Sequence, residues 1–288
     1  MARSTSSRED KTYRDAEGVT IHYYVWKAAR PKAVIQLLHG LGEYATRYEW
    51  LVSKLTAAGY TVYADDHRGH GQTGLGQNDG DYSKLGKLGP GGMRATIEAV
   101  RKLTRIIRAE SGKLPLVLLG HSWGSIIAQI LLNKHAEDYD AAVLSGSALR
   151  TFTHMNGGDL NAKHKHEGGT GYEWLSRDPK VVATAAEDPF MFVAKALPTF
   201  GVLDSLRLLG RPAHGIESDI PVLIQAGGDD SFGGEKSVTL LAKEYRTTSE
   251  LTDVELIVYP NARHEIFNET NKEEVVADTL AWLSERVA

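Results

Sequence analysis

Six short apolar runs recur along the chain with helix-like sequence between them, and that rhythm leaves few folds open. The runs are Ala33–Leu38, Thr61–Ala64, Leu116–Leu119, Ala141–Leu144, Pro221–Ala226 and Val254–Tyr259. Each is too short for a buried helix and apolar on both faces, as a strand buried inside a parallel sheet must be. Between them, Arg47–Ala58, Pro90–Glu110, Ser125–Leu132, Glu235–Thr247 and Lys272–Arg286 read as helices; in the second, Ile97, Val100, Thr104 and Ile107 share one face. Such alternation predicts an α/β fold, a mostly parallel central sheet with helices on both faces. Ahead of it, Lys11–Asp15 and Val19–Lys27 flank Ala16-Glu17-Gly18 and predict an antiparallel hairpin.

The interval from about Ser147 to Gly215 breaks the rhythm, being long and irregular with short helix-like pieces such as Asp188–Val193. An insertion of this size at one sheet edge is most simply a cap over a site. The expected organisation is a core of residues 1–146 and 216–288 with a cap, or lid, of residues 147–215.

Gly120-His121-Ser122-Trp123-Gly124 sits where an apolar strand gives way to a helix. A sharp strand-to-helix turn of this kind lifts the central hydroxyl clear of the sheet, and the flanking positions must be small. Ser122 is therefore the candidate nucleophile. A hydroxyl is a poor nucleophile at neutral pH, so it needs a base and a carboxylate to orient that base. On such a scaffold both follow the nucleophile in the chain, on loops past strand ends. The last strand runs into Asn261-Ala262-Arg263-His264-Glu265, which makes His264 the candidate base. The preceding strand runs into Gly227-Gly228-Asp229-Asp230, so the acid is one of two neighbouring aspartates that point different ways.

Negative charge developing on a carbonyl oxygen calls for preorganised backbone N–H donors. Trp123 supplies one and Leu41, in His39-Gly40-Leu41-Gly42-Glu43, the other. His39 reads as a buried group fixing that loop. Asp66-His67-Arg68-Gly69-His70-Gly71 reads as a structural turn, with Arg68 expected to pair with Glu43; Gly71–Gly76 only loosely matches a nucleotide fingerprint, with no helix opening at its last glycine.

Composition removes whole classes of function. With 33 basic against 37 acidic side chains, a polyanion such as nucleic acid is not an expected partner. No apolar run approaches the roughly 20 residues that span a bilayer, which leaves only transient contact with a lipid surface. The absence of cysteine excludes disulfides and thiolate chemistry. His154, His164 and His166 lack ligand spacing, so neither a metal nor another cofactor is expected. Met1–Asp10 is polar without an apolar core and reads as a frayed end rather than a signal peptide; a cytoplasmic location follows as an expectation, and the oligomeric state is open.

Taken together, Leu38–Glu43 with Arg47-Tyr48, Asp66–Gly71, Gly120–Gly124 and Tyr259–Glu265 resemble serine hydrolases of the α/β-hydrolase fold, in the monoacylglycerol lipase and lysophospholipase branch that includes serine aminopeptidase-like enzymes. Trp174–Pro179 is similar to a segment of bacterial members' caps. The resemblance implies Ser122 as nucleophile, His264 as base, Asp230 rather than Asp229 as acid, and Leu41 and Trp123 as oxyanion donors. It departs from the family at Trp123, where many members carry methionine, and at Tyr44, where they usually carry histidine.

The implied activity is hydrolysis of a small amphipathic monoester through an acyl-enzyme: a monoacylglycerol, a lysophospholipid or a hemiester such as a monoalkyl phthalate. Tyr44, Trp123, Phe190 and Phe192 are the expected substrate contacts, with Met191, Leu197, Phe200, Leu203 and Leu206 as further apolar wall. The basic stretch Lys163–His166 would favour a hemiester if it faced the pocket. A peptidase or amidase would instead aim Glu167, Glu173 or Glu187 at a substrate amine, and a carbon–carbon bond hydrolase would keep the same triad.

Overall fold

The computed structural model describes residues 8–287. In chain order the first half runs β1 (Arg8–Arg14), β2 (Thr20–Trp26), β3 (Ala33–Leu38), α1 (Glu49–Ala57), β4 (Tyr60–Asp65), α2 (Gly71–Gln77), α3 (Gly92–Ser111), β5 (Leu116–His121) and α4 (Trp123–His135). The second half runs β6 (Ala141–Ser145), α5 (Pro179–Glu187), α6 (Ala196–Arg207), β7 (Val222–Gly227), α7 (Gly234–Thr247), β8 (Val254–Tyr259) and α8 (Lys272–Arg286). The strands form one eight-stranded sheet in the order β1-β2-β4-β3-β5-β6-β7-β8. The β1–β2 and β2–β4 pairs are antiparallel and all others parallel. This is the α/β-hydrolase fold.

Period-two alternation divides each central strand between two cores. Val34 and Leu38 of β3 with Leu116 and Leu118 of β5 pack with Leu103, Ile107, Ile126 and Leu241 from α3, α4 and α7. Ala33, Ile35 and Leu37 with Val117 and Leu119 pack on the other face with Leu51, Leu55, Val275 and Leu283 from α1 and α8. Gln36 is buried among them because both ends of its amide are satisfied, donating to the Val100 carbonyl at 3.0 Å and accepting from the Thr104 hydroxyl at 2.8 Å.

After β3 the chain turns back to β4, then crosses over to β5 on the other side of β3. The loops leaving the carboxyl ends of β3 and β5 therefore diverge and open a crevice between them, where ligands bind in open α/β sheets. One sequence expectation needs correction here. Arg8–Asp10 belong to β1 rather than to a frayed end, and residues 1–7 of that stretch lie outside the described residues. The glycine-rich run after Asp66 forms the short helix α2, started by the Asp66 carboxylate accepting the Gln72 N–H at 2.8 Å.

Between β6 and β7 the chain forms only α5, α6 and short single turns, while the segment 188–195 is irregular rather than helical. Among the described residues no helix is long and apolar enough to cross a membrane.

Candidate active site

Ser122 stands at the junction of β5 and α4 with φ 53° and ψ −121°, a region L-residues occupy only under constraint. The constraint is steric on every side. A Cβ on Gly120 would meet the Gly124 carbonyl oxygen at 2.6 Å, and one on Gly124 would meet the Leu38 carbonyl oxygen at 2.3 Å. The Ser122 N–H donates to the Ser145 carbonyl of β6 at 2.9 Å, which ties the turn to the neighbouring strand. The side chain is left at the floor of the crevice.

His264 lies in the loop after β8, and its Nδ1–H donates to Asp230 Oδ1 at 2.9 Å. The same oxygen accepts the Phe232 N–H at 2.8 Å, which fixes the carboxylate's orientation. Asp229 points away, paired with Lys163 and facing His164 Nε2 at 3.5 Å. Gly227 lets the two loops meet, since a Cβ there would lie 2.1 Å from the Arg263 carbonyl oxygen. Among the described residues the buried Nε2 of His264 has no hydrogen-bond partner, and His264 and Ser122 line the same cavity of about 300 Å³. Three buried histidines nearby are poor bases: burial holds His39 and His121 well below the ordinary histidine value and His70 at about 3.

The loop after β3 is fixed by its own side chains. His39 Nδ1–H donates to the Gly40 carbonyl at 2.7 Å, while its Nε2 accepts the His67 N–H at 2.9 Å. Glu43 accepts the Gly40 N–H at 2.6 Å, the Tyr48 hydroxyl at 2.7 Å and Arg47 at 2.8 Å. Arg47 also pairs with Glu265 at 2.8 Å, joining this loop to the one that carries His264. Burial raises the Glu43 carboxyl, whereas at Glu265 the penalty of burial is outweighed by Arg47, which holds the carboxyl low. Among the described residues the Leu41 N–H has no intramolecular acceptor. Arg68 does not brace this loop: it pairs with Asp15 at 2.9 Å and donates to the Leu88 and Pro90 carbonyls. Arg47 takes the expected place, reaching Glu43 from the single turn Ala45–Tyr48 that follows it.

A family profile described as "Serine aminopeptidase, S33" matches residues 29–271. The chain belongs to that family. It is a monoacylglycerol-lipase-like serine hydrolase, 34% identical over 291 residues to a monoacylglycerol lipase of Mycolicibacterium smegmatis, an alignment covering 97% of this chain and 98% of that one. A monoglyceride lipase of Homo sapiens is 25% identical over 287 residues, covering 95% of this chain and 90% of its own. Among solved structures, a thermostable carboxyl esterase from Bacillus coagulans superposes with a TM-score of 0.80, covering 99% of this chain and 100% of its own at 24% identity, a likeness of fold.

Beside Ser122 this S33-family chain holds an apolar cavity of about 530 Å³, lined by Leu41, Trp123, Ile126, Met155, Leu160, Trp174, Phe200, Leu208 and Phe232 among others, with no charged side chain in its lining. Trp123 forms part of the wall, wedged between Phe200 at 5.1 Å and His70 at 5.0 Å between ring centroids. Phe192 and Met191 line the smaller cavity around His264.

Tyr44 and Phe190 line neither cavity. The Tyr44 hydroxyl donates to Asp188 at 2.6 Å and its ring packs on Phe190 at 5.1 Å, so they form an outer contact between the β3 loop and the 188–195 segment. Leu197, Leu203 and Leu206 point outward and are exposed. Two residues outside the expected site pack directly on the candidate base: Trp174 at 4.5 Å and Phe232 at 5.6 Å from the His264 ring. The motif-like stretch Trp174–Pro179 carried the signal for the first; Phe232 had none. His154, His164 and His166 share no metal-like grouping; among the described residues that geometry occurs at His135, Glu137 and Asp138, at the far end of α4.

Proposed function

We propose that this serine hydrolase cleaves a small monoester of an apolar acyl chain, a monoacylglycerol first among them, through an acyl-enzyme on Ser122. Ser122 Oγ attacks the ester carbonyl carbon while its proton passes to His264 Nε2, and Asp230 stabilises the resulting imidazolium. The oxyanion accepts from the N–H groups of Leu41 and Trp123. Collapse expels the alcohol, which takes the proton from His264; water, deprotonated by His264, then attacks the acyl carbon, and the acid is released as Ser122 Oγ leaves and takes that proton back.

The observation that carries this reading is the uncharged lining of the cavity beside Ser122. Burying a chain there is favourable by about 0.8 kcal/mol per CH₂, whereas a free carboxylate or ammonium would be left unpaired. A peptidase reading loses its anchors: Glu167 is paired with Arg263 at 2.7 Å, Glu173 is consumed by Asn161 at 2.6 Å and the Thr170 N–H at 2.7 Å, and Glu187 lines neither cavity. A hemiester reading loses its cation, because Lys163 and His164 turn toward Asp229.

Residues 147–215 act as the cap over the core of 1–146 and 216–288, with Met155, Leu160, Trp174, Phe200 and Leu208 among its share of the pocket wall. The exposed Leu197, Val202, Leu203 and Leu206 support transient contact of that cap with a lipid surface.

A product-resolved panel of monoacylglycerols, lysophospholipids, hemiesters and aminoacyl amides tests the substrate class. Monoacylglycerols should give the highest kcat/KM; preferential turnover of the amides or hemiesters would overturn the reading. Within the panel, Trp123→Met should extend the pocket and raise the ratio of kcat/KM for long over short chains by about tenfold. An unchanged ratio would remove Trp123 as the determinant of chain length.

A further inference from the structure

The segment between β6 and β7 leaves and rejoins the core through two limbs, and both are fastened to the helix that begins at the nucleophile. Ser125, Gln129 and Asn133 stand four apart on α4 and so form one polar row along it. The Ser125 hydroxyl donates to the Ser122 carbonyl at 2.6 Å and holds the elbow. Gln129 donates to Ser147 Oγ at 3.0 Å and to the Ala148 carbonyl at 2.9 Å, which fixes the outgoing limb. Asn133 donates to the Arg211 carbonyl at 2.7 Å and accepts the Ala213 N–H at 3.0 Å, which fixes the returning one.

Arg150 ties the two limbs to each other. Its Nε donates to Gln129 Oε1 at 3.3 Å, and its Nη1 to the Leu208 carbonyl at 3.1 Å and the Leu209 carbonyl at 3.4 Å. The Gly210 N–H returns a bond to the Arg150 carbonyl at 2.7 Å, and a Cβ on Gly210 would stand 2.9 Å from Nη2, so glycine lets the returning limb lie over the guanidinium. Arg150 is 3% exposed; burial holds it below the ordinary arginine value, and among the described residues no carboxylate offsets that cost. Compensation comes instead from carbonyls left open where α6 ends. A forked cation spans α4 and the end of α6 together, where a single donor reaches one of them.

We propose that Arg150 is a positioning residue that sets this hydrolase's preference among acyl chains, by pinning the Leu208 wall of the cavity beside Ser122 to α4. The proposal rests on the hydrolytic reading given above. Arg150 holds the carbonyl of Leu208, and the Leu208 side chain lines that cavity opposite no charge, together with Ile126 of α4. Backbone and wall therefore shift together. Without the guanidinium, the Leu208 carbonyl and Gln129 Oε1 lose a buried donor. The returning limb stays attached at Asn133 and the elbow at Ser125 and Ser145, so the loss falls on the wall and not on the triad.

An acetyl group needs only the elbow and the oxyanion donors, whereas a decanoyl chain needs the wall. The test measures kcat and KM for p-nitrophenyl acetate and p-nitrophenyl decanoate in the full-length wild type, Arg150→Met, Leu208→Ala and the double variant. Arg150→Met should raise KM for the decanoate about tenfold while kcat for both esters and KM for the acetate stay within about twofold. The double variant should be no worse on the decanoate than Leu208→Ala alone, because both changes remove the same wall. A purely structural arginine predicts otherwise: equal losses on the two esters, or losses that add in the double variant, overturn the proposal, as does a wild-type KM for the decanoate.

Should Arg150→Met not fold by circular dichroism, Arg150→Lys keeps a cation but presents its donors from one point. It must show the same split between the esters in smaller measure, and its absence counts against the clasp. Ser122→Ala separates the two claims. Acetate turnover surviving in that variant sinks the hydrolytic reading itself, while turnover lost there with a decanoate KM indifferent to Arg150 sinks only the clasp.

Discussion

Ser122→Ala is expected to lower ester turnover by about 10⁶-fold, the scale set by removing the nucleophile from a triad that acts as a unit. Residual activity then comes from the oxyanion donors and the cavity alone. Stability should hardly change, for two reasons. Alanine must adopt the same φ of 53° and inherits the same strain, so no backbone term is gained or lost. The hydroxyl sits at the cavity floor and anchors no secondary structure; the turn is held by the Ser122 backbone, whose N–H donates to Ser145 and whose carbonyl accepts from Ser125 and Ile126. Circular dichroism and the thermal midpoint should match wild type while labelling by an alkyl phosphonate disappears. Substantial turnover in a folded Ser122→Ala variant would remove Ser122 from the mechanism.

The sequence revealed the positions whose chemistry constrains the backbone. Gly120 and Gly124 announce the elbow because no larger residue fits against Gly124 and Leu38, and His264 is recognisable because it follows the last strand. The choice between Asp229 and Asp230 was not in the residues themselves. It depends on Gly227 letting the loop press against Ala262 and Arg263, a long-range contact that presents one carboxylate to His264 and the other to Lys163.

The helix α2 was hidden for the opposite reason, since three glycines in Gly71–Gln77 argue against a helix on propensity. Tertiary packing overrides that: a Cβ on Gly74 would meet the Gly69 backbone at 2.5 Å, so a small residue is required there. The cap was the least legible part. Trp174 in the cap, like Phe232 in the loop after β7, lies in an irregular segment in which no period links a residue to its neighbours in space.

Asp230→Asn should cost about 10⁴-fold in kcat, as loss of the triad carboxylate does elsewhere. The Phe232 N–H donates to Oδ1, so the amide must keep its oxygen there and its NH₂ at the Oδ2 position. His264 Nδ1–H then retains an acceptor 2.9 Å away and the ring keeps its orientation. What vanishes is the negative charge that balances the imidazolium during proton transfer, buried where it is weakly screened.

The loss should therefore fall on kcat with KM little changed, and Asp230→Ala, which also frees the ring to rotate, should be worse. Asp229→Asn touches only the pairing with Lys163 and should cost about tenfold or less, the scale of a displaced rather than a missing group. Equal losses in Asp229→Asn and Asp230→Asn would mean that the carboxylate bonded to His264 is not the one that stabilises it during turnover.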